Sequence, residues 1–243
     1  MPTLKSTLLF LFLFTAAPFW ASAAQKYCMD PSKPSPNFYM TPTEVDFVHV
    51  LGPPPAIDSF EGKADLQAVL DAQRNRTEAE VESARNDNCL SIFRFADVMG
   101  PGFKPENLHF TILFFERAFY DDQHAVEATK KYFNRPRPFV SDREVSPVVE
   151  RRGNPSYPSG HATFAYATAI LLADIVPEKG VKIFERAAVY AHNRVVAGVH
   201  YPSDVEAGRI SGSVIDNVLL HDHRFEADLA RATVEVRHAL GLK

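Results

Sequence analysis

Three short clusters in the sequence hold residue types able to handle a tetrahedral oxyanion. The first is Lys130 with Arg137-Pro138, two cations at the end of a helical pattern and in a proline-stiffened loop. The second is Pro158-Ser159-Gly160-His161, followed by an alanine-rich apolar run through Leu172. Pro158 biases Tyr157 away from helix, Ser159 is a capping residue and Gly160 permits close backbone approach. The run after it reads as a buried helix, whose N-terminus offers unpaired N–H groups and partial positive charge to an anion. The third is Asn193-Arg194 with His200-Tyr201-Pro202-Ser203-Asp204. Pro202 suits the first turn of a helix, so Asp204 can fold back and hold one imidazole nitrogen of His200. Taken singly, each cluster also has a plain structural reading: solvated cations, a capped core helix, a structural His–Asp pair. Together they supply three cations, a helix N-terminus, one free histidine and one histidine oriented by a carboxylate. Phosphoryl transfer is mostly positioning plus charge stabilisation, so this set suffices for it without a metal.

The elements that must position these clusters are read as helices. The chain has 243 residues, 46% hydrophobic and 23% charged, enough for one domain with a sizeable core. Residues 28–62 carry seven of its prolines, Pro31, Pro34, Pro36, Pro42 and Pro53-Pro54-Pro55, which argues against helix or central strand. They are expected to form an extended surface arm, ending in a helix that begins near Ser59, with His49 exposed or structural. From Lys63 on, helical periodicity predicts one long or two short helices over 64–87 and an apolar helical segment over 92–99 stopped by Gly100-Pro101-Gly102. A central helix is expected over 108–120 and an amphipathic one over 121–133. Residues 139–157 read as loop, and further helices are expected over 161–176, 178–196, 204–220 and 225–240. No strand alternation, internal repeat or Gly-rich nucleotide loop is present. The expectation is an all-α, single-domain helical bundle, with a proline-rich N-terminal arm over 24–62 and the helical domain over 63–243.

Residues 1–23 read as a secretory signal peptide: Lys5 ahead of a dense apolar run, then Ala21-Ser22-Ala23 as a processing site. Cleavage is expected after Ala23 or Ala24, and the localisation is periplasmic or secreted. Export makes the two cysteines, Cys28 and Cys89, candidates for a disulfide. The net charge of −4, without a basic tail or patch, gives no nucleic-acid footprint. No run after the leader is long and apolar enough to span a membrane. The 19 phenylalanines leave room for an interface between copies, a homo-oligomer.

Lys130-x6-Arg137-Pro138, Pro158-Ser159-Gly160-His161 and Arg194-x5-His200-x3-Asp204 together resemble the three-part signature shared by type 2 phosphatidic acid phosphatases and vanadium haloperoxidases. Within that superfamily the chain resembles the exported class A bacterial non-specific acid phosphatases, through most of residues 125–225. The resemblance implies a helical bundle of the acid phosphatase/vanadium-dependent haloperoxidase type and hydrolysis of small phosphate monoesters, with phosphotransfer as a possible accompaniment and no cofactor or metal. It assigns His200 as nucleophile, Asp204 as its orienting carboxylate, and His161 as acid and then base. Lys130, Arg137, Ser159, Gly160 and Arg194 are implied as phosphate ligands. The family's third motif opens on Ser-Arg where this chain has Asn193-Arg194, so Asn193 is expected behind the phosphate contacts. The alternative is a vanadate-dependent haloperoxidase, whose site resembles this one. The remaining histidines, His221-Asp222-His223 included, and the cations Lys131 and Arg135 are assigned no role. An acidic optimum follows if His200 is neutral while His161 is protonated near an ordinary histidine pKa of about 6.5. The pocket rim is expected from parts of 92–104 and 139–157.

Overall fold

The computed structural model describes residues 26–243. The leader expected over 1–23 lies outside them. Ten α-helices follow in order: α1 Phe47–Leu51, α2 Phe60–Asn75, α3 Glu78–Asn86, α4 Ala96–Met99, α5 His109–Phe133, α6 Pro138–Ser141, α7 Gly160–Ile175, α8 Gly180–Val196, α9 Pro202–Leu219 and α10 His223–Ala239. Single 3-10 turns precede α4, α5 and α8. Among the described residues there is no strand, only an isolated bridge between Met29 and Leu90. The architecture is the expected all-α bundle.

The helix boundaries follow from local chemistry. Ser59 accepts from Gly62 N to start α2, as its sequence position suggested. Thr77 and Glu80 form a capping box that starts α3, which resolves the 64–87 stretch into two helices. Nothing breaks the backbone between Tyr120 and Asp121, so the two helices expected over 108–133 are one, α5, 25 residues long. It is not the centre of the bundle: Leu113 on its outer face is 50% exposed. The centre is α7, buried on almost every side and packed most extensively against α9 and α8. Gly208 and Gly212 make the α7–α9 approach possible. A Cβ on Gly208 would stand 2.5 Å from Ser159 O, and one on Gly212 would stand 2.7 Å from Thr163 O. Closely spaced backbones here set the N-terminus of α9 against that of α7.

The proline-rich segment departs from expectation in two ways. It contains a helix, α1, because its prolines flank residues 44–52 without interrupting them, and Asp46 caps the turn by accepting from Val48 N and His49 N. It also enters the core, where Tyr39, Met40 and Phe47 are buried. Asp121 of α5 holds it there, accepting from Phe38 N and Tyr39 N at 2.8 Å and Met40 N at 3.3 Å. His49 is exposed and paired with Asp46 at 2.6 Å. Cys28 and Cys89 are bonded, with Cα atoms 5.2 Å apart, which ties this segment to the chain after α3.

Candidate active site

The three sequence clusters converge on one cleft of about 700 Å³. Lys130 comes from the last turn of α5, Arg137 from just before α6, and Gly160 and His161 from the first turn of α7. Arg194 comes from α8 and His200 from the residues before α9. All six line the cleft. The site is thus made of helix ends, where the chain delivers side chains and unpaired N–H groups together.

His200 is 2% exposed, and its two ring nitrogens face different partners. Nε2 lies 3.1 Å from an Arg137 guanidinium nitrogen. A guanidinium only donates, so Nε2 is the acceptor and Nδ1 carries the proton of the neutral ring. Nδ1 lies 3.3 Å from Asp204 Oδ2 and 3.3 Å from Ser156 Oγ. Asp204 is held rigidly in turn: Tyr201 N donates to Oδ2 at 2.9 Å, Ser156 Oγ also donates to Oδ2, and Arg135 donates to Oδ1 at 2.6 Å. The fold therefore presents an unprotonated Nε2 toward the cleft, with a carboxylate behind the ring.

His161 is 6% exposed, and its Nε2 lies 3.2 Å from Asn88 O. A carbonyl only accepts, so this nitrogen keeps its hydrogen and Nδ1 is left for proton exchange. Burial holds His161 well below the ordinary histidine value, and Arg194 and Arg152 push in the same direction. His200 is likewise depressed, by burial first and then by Arg137, Lys130 and Arg194. Neither ring has the ordinary pKa assumed in arguing for an acidic optimum. A bound anion would offset the neighbouring cations and raise both.

Three buried cations surround the two rings. Lys130 is 4% exposed and donates to the carbonyls of Pro155, Ser156 and Pro158. Burial, helped by Arg137, lowers its pKa to about 7. Arg137 is 5% exposed and donates to Asn154 O, Asn154 Oδ1 and Val199 O, each at 2.8 Å. Burial, then Arg152, brings it down to about 10 despite the pull of Asp204. Arg194 is 2% exposed; both terminal nitrogens reach Asn88 Oδ1 at 3.3 Å, and Nε has no hydrogen-bond partner among the described residues. Burial, then like charge from Arg137 and Arg152, lowers it to about 9. None of the three is ion-paired to a carboxylate among the described residues. Charge of this kind is held in reserve for an anion.

Ser159, an expected ligand, and Asn193, expected behind the phosphate contacts, do not line the cleft. Ser159 is fully buried below the cleft, where its Oγ caps α7 by accepting from Ala162 N and its N–H donates to Asp204 O. It builds the helix end without lining the cleft. Asn193 points away from the cleft, donating to Ser83 Oγ at 2.9 Å and Asp87 Oδ2 at 2.8 Å. The substitution in the third motif therefore falls on a structural contact.

Sequence reasoning missed several participants. Arg135, assigned no role, is 3% exposed and bridges Asp204 to Asp65 at 2.6 and 2.9 Å while lying 4.1 Å over the Tyr201 ring. Its i, i+2 spacing from Arg137 was the available signal, since alternate residues of an extended loop face the same side. The rim does include residues 150–154, within the expected 139–157, but no residue of 92–104 lines the cleft. Its other side comes from Asp30 to Ser32 and from Gln123, His124 and Glu127 of α5. His221, Asp222 and His223 do not converge: they engage Asn217 O, the start of α10 and Glu226 respectively.

Residues 110–227, which hold all three clusters, match the PAP2 superfamily. An acid phosphatase of Zymomonas mobilis is 35% identical over 127 residues, 51% of this chain and 47% of that protein. A non-specific acid phosphatase of Salmonella typhimurium is 28% identical over 208 residues, 82% of this chain and 83% of that one. Among solved structures, a bacterial vanadium-dependent chloroperoxidase superposes with a TM-score of 0.59 at 16% identity, covering 84% of this chain and 57% of its own. A transmembrane PAP2 type phosphatidylglycerolphosphate phosphatase from Bacillus subtilis gives 0.53 at 19% identity, covering 71% and 90%. Among the described residues of the present chain, no helix is long and apolar enough to cross a membrane. Residues 110–227 are thus a PAP2 superfamily domain.

Proposed function

We propose that the protein is an exported, metal-independent acid phosphatase that hydrolyses phosphate monoesters through a phosphohistidine on His200. The observation that carries this reading is the pairing of a tautomer-fixed His200 with three buried, carboxylate-free cations in one cleft. The names of the relatives point the same way. Lys130, Arg137, Arg194 and the N-terminus of α7 take the phosphoryl oxygens, and Arg137 exchanges its contact with His200 Nε2 for one with the ester. The Nε2 lone pair attacks phosphorus as the P–O bond to the leaving group breaks. His161 gives its proton to the departing alkoxide, which leaves as the alcohol. Water then attacks phosphorus as the P–N bond breaks, His161 takes its proton, and phosphate leaves with the His200 lone pair restored. An alcohol in place of that water gives phosphotransfer. Export is supported by the Cys28–Cys89 bond, which persists in oxidising compartments.

Rapid-quench trapping with p-nitrophenyl phosphate in the presence of a chelator tests the reading. The expected result is acid-labile phosphohistidine in the wild type, accumulating in His161→Ala and absent in His200→Ala. Turnover lost to the chelator, or no phosphoenzyme under fast quench, would count against it. Halide oxidation after vanadate loading would favour the haloperoxidase alternative.

A further inference from the structure

The segment between α3 and the 3-10 turn before α4 reaches both working halves of the site, through Asn88. Its backbone oxygen takes the His161 Nε2–H at 3.2 Å, and its side-chain oxygen takes both terminal nitrogens of Arg194 at 3.3 Å. That side-chain oxygen is the only hydrogen-bond acceptor Arg194 has among the described residues, because Arg194 Nε has none. Asn88 is held on each side. Before it, buried Asp87 accepts from Arg94, Arg186 and Asn193. After it, Cys89 is bonded to Cys28, its carbonyl accepts from Tyr190 Oη at 2.6 Å, and Leu90 O accepts from Met29 N at 2.8 Å. A half-buried loop residue fixed this firmly cannot drift when Arg194 pulls on it.

We propose that Asn88 is the positioning residue of the site, orienting the Arg194 guanidinium toward the bound phosphoryl group and the His161 ring toward the leaving group, with the Cys28–Cys89 disulfide as its anchor. This rests on the phosphatase reading above. A long, flexible arginine has several rotamers, and an acceptor at the far end of its guanidinium selects one of them before substrate arrives. For His161 the carbonyl selects the tautomer and favours the protonated ring, against burial and against the charges that face it: Arg194 from α8, Arg152 from the rim and His200 from the turn before α9. One short segment thus sets an electrostatic ligand and a proton donor in a common frame.

The two roles separate by substitution. Asn88→Ala removes the acceptor for Arg194 and keeps the carbonyl for His161. It should raise KM and the Kd for inorganic phosphate, measured by calorimetry, about tenfold, with kcat within about twofold. Asn88→Asp keeps an oxygen in place and adds a negative charge beside His161, whose protonated form it favours. The alkaline limb of kcat/KM, where the acid loses its proton, should move up by about one pH unit. Cys28→Ser with Cys89→Ser releases the anchor and should raise the phosphate Kd in the direction of Asn88→Ala. An active wild type with phosphate Kd unchanged in Asn88→Ala and the limb unmoved in Asn88→Asp overturns the positioning role. A wild type that neither binds phosphate nor turns over the ester overturns the phosphatase reading itself, and the inference with it.

Discussion

Two regions of this molecule bury basic side chains to the same depth and treat them in opposite ways. In the cleft, Lys130, Arg137 and Arg194 meet carbonyls and amides, no carboxylate, and all three pKa values fall. Behind the cleft, Arg186 on α8 is 9% exposed and grips Asp87, donating to both carboxylate oxygens. Burial pulls Arg186 down as well, yet the hydrogen bonds and charge of Asp87 outweigh it and the pKa rises. Arg135, between Asp65 and Asp204, behaves like Arg186. Paired buried cations hold a fold together, whereas unpaired ones cost stability and are retained where a ligand will complete them. Direction of pKa displacement therefore separates the carboxylate-paired arginines from those proposed to bind phosphate.

The contrast is sharpest when one member of each class is removed. Arg186→Met strands Asp87 as a buried, partly unpaired anion and should destabilise the fold by about 3–5 kcal/mol, read as a large loss of Tm. Arg194→Met removes a buried cation that has no carboxylate partner among the described residues. It should leave Tm unchanged or raised while kcat/KM for p-nitrophenyl phosphate falls about 10²–10³-fold. Equal losses of stability in both variants, by calorimetry, would erase the distinction.

How much of this was legible in the sequence follows the same division. Lys130, Arg137, His161, Arg194, His200 and Asp204 announce themselves because proline, glycine and capping residues fix the backbone around them, so spacing translates into position. The helical bundle was legible for the same reason. Asn88, Ser156 and Arg135 were not: each acts through a contact 44 or more residues away in sequence, and nothing local marks it. Ser159 was legible both as a cap and as a ligand; its hydroxyl accepts from Ala162 N as a cap does, which leaves its own hydrogen to donate. In α5 an apolar half and a polar half suggested two helices, but composition changes faces without breaking a helix, and only Pro, Gly or a competing cap would have done so.

Lys130 offers a way to watch an unpaired cation become paired. Brought down by burial to a pKa of about 7, it is only partly protonated at neutral pH. A bound phosphate favours the ammonium, so binding should take up a fraction of a proton around pH 7–8 and much less at pH 5, where Lys130 is already charged. Phosphate titrations in buffers of different ionisation enthalpy measure that number directly. Lys130→Arg, charged throughout, should abolish the Lys130 share of uptake. An unchanged proton count in that variant would place the titration on another group, with His161 the next to examine.

The smallest expected effect comes from anions treated as the cleft treats its cations. Asp122 on α5 and Asp216 on α9 are 2% and 1% exposed, and among the described residues Asp122 Oδ1 and both oxygens of Asp216 lack hydrogen-bond partners. Burial raises both pKa values well above the ordinary carboxylate value; Asp121 adds to the shift of Asp122, and Asp122 to that of Asp216. A raised folded-state pKa means the folded protein binds more protons than the unfolded chain between the two values. The stability this gives is full below about pH 4 and is lost as pH rises through the folded-state pKa. Asp216→Asn removes that loss. It should raise Tm by a few degrees at pH 7, at about 2–4 °C per kcal/mol for a chain of this size, and change it little at pH 4. These carboxylates do not line the cleft, so kcat/KM at pH 5 should stay within about twofold of wild type. A variant equally stabilised at both pH values would show that the gain came from packing, and the parallel between buried unpaired anions and buried unpaired cations would fail.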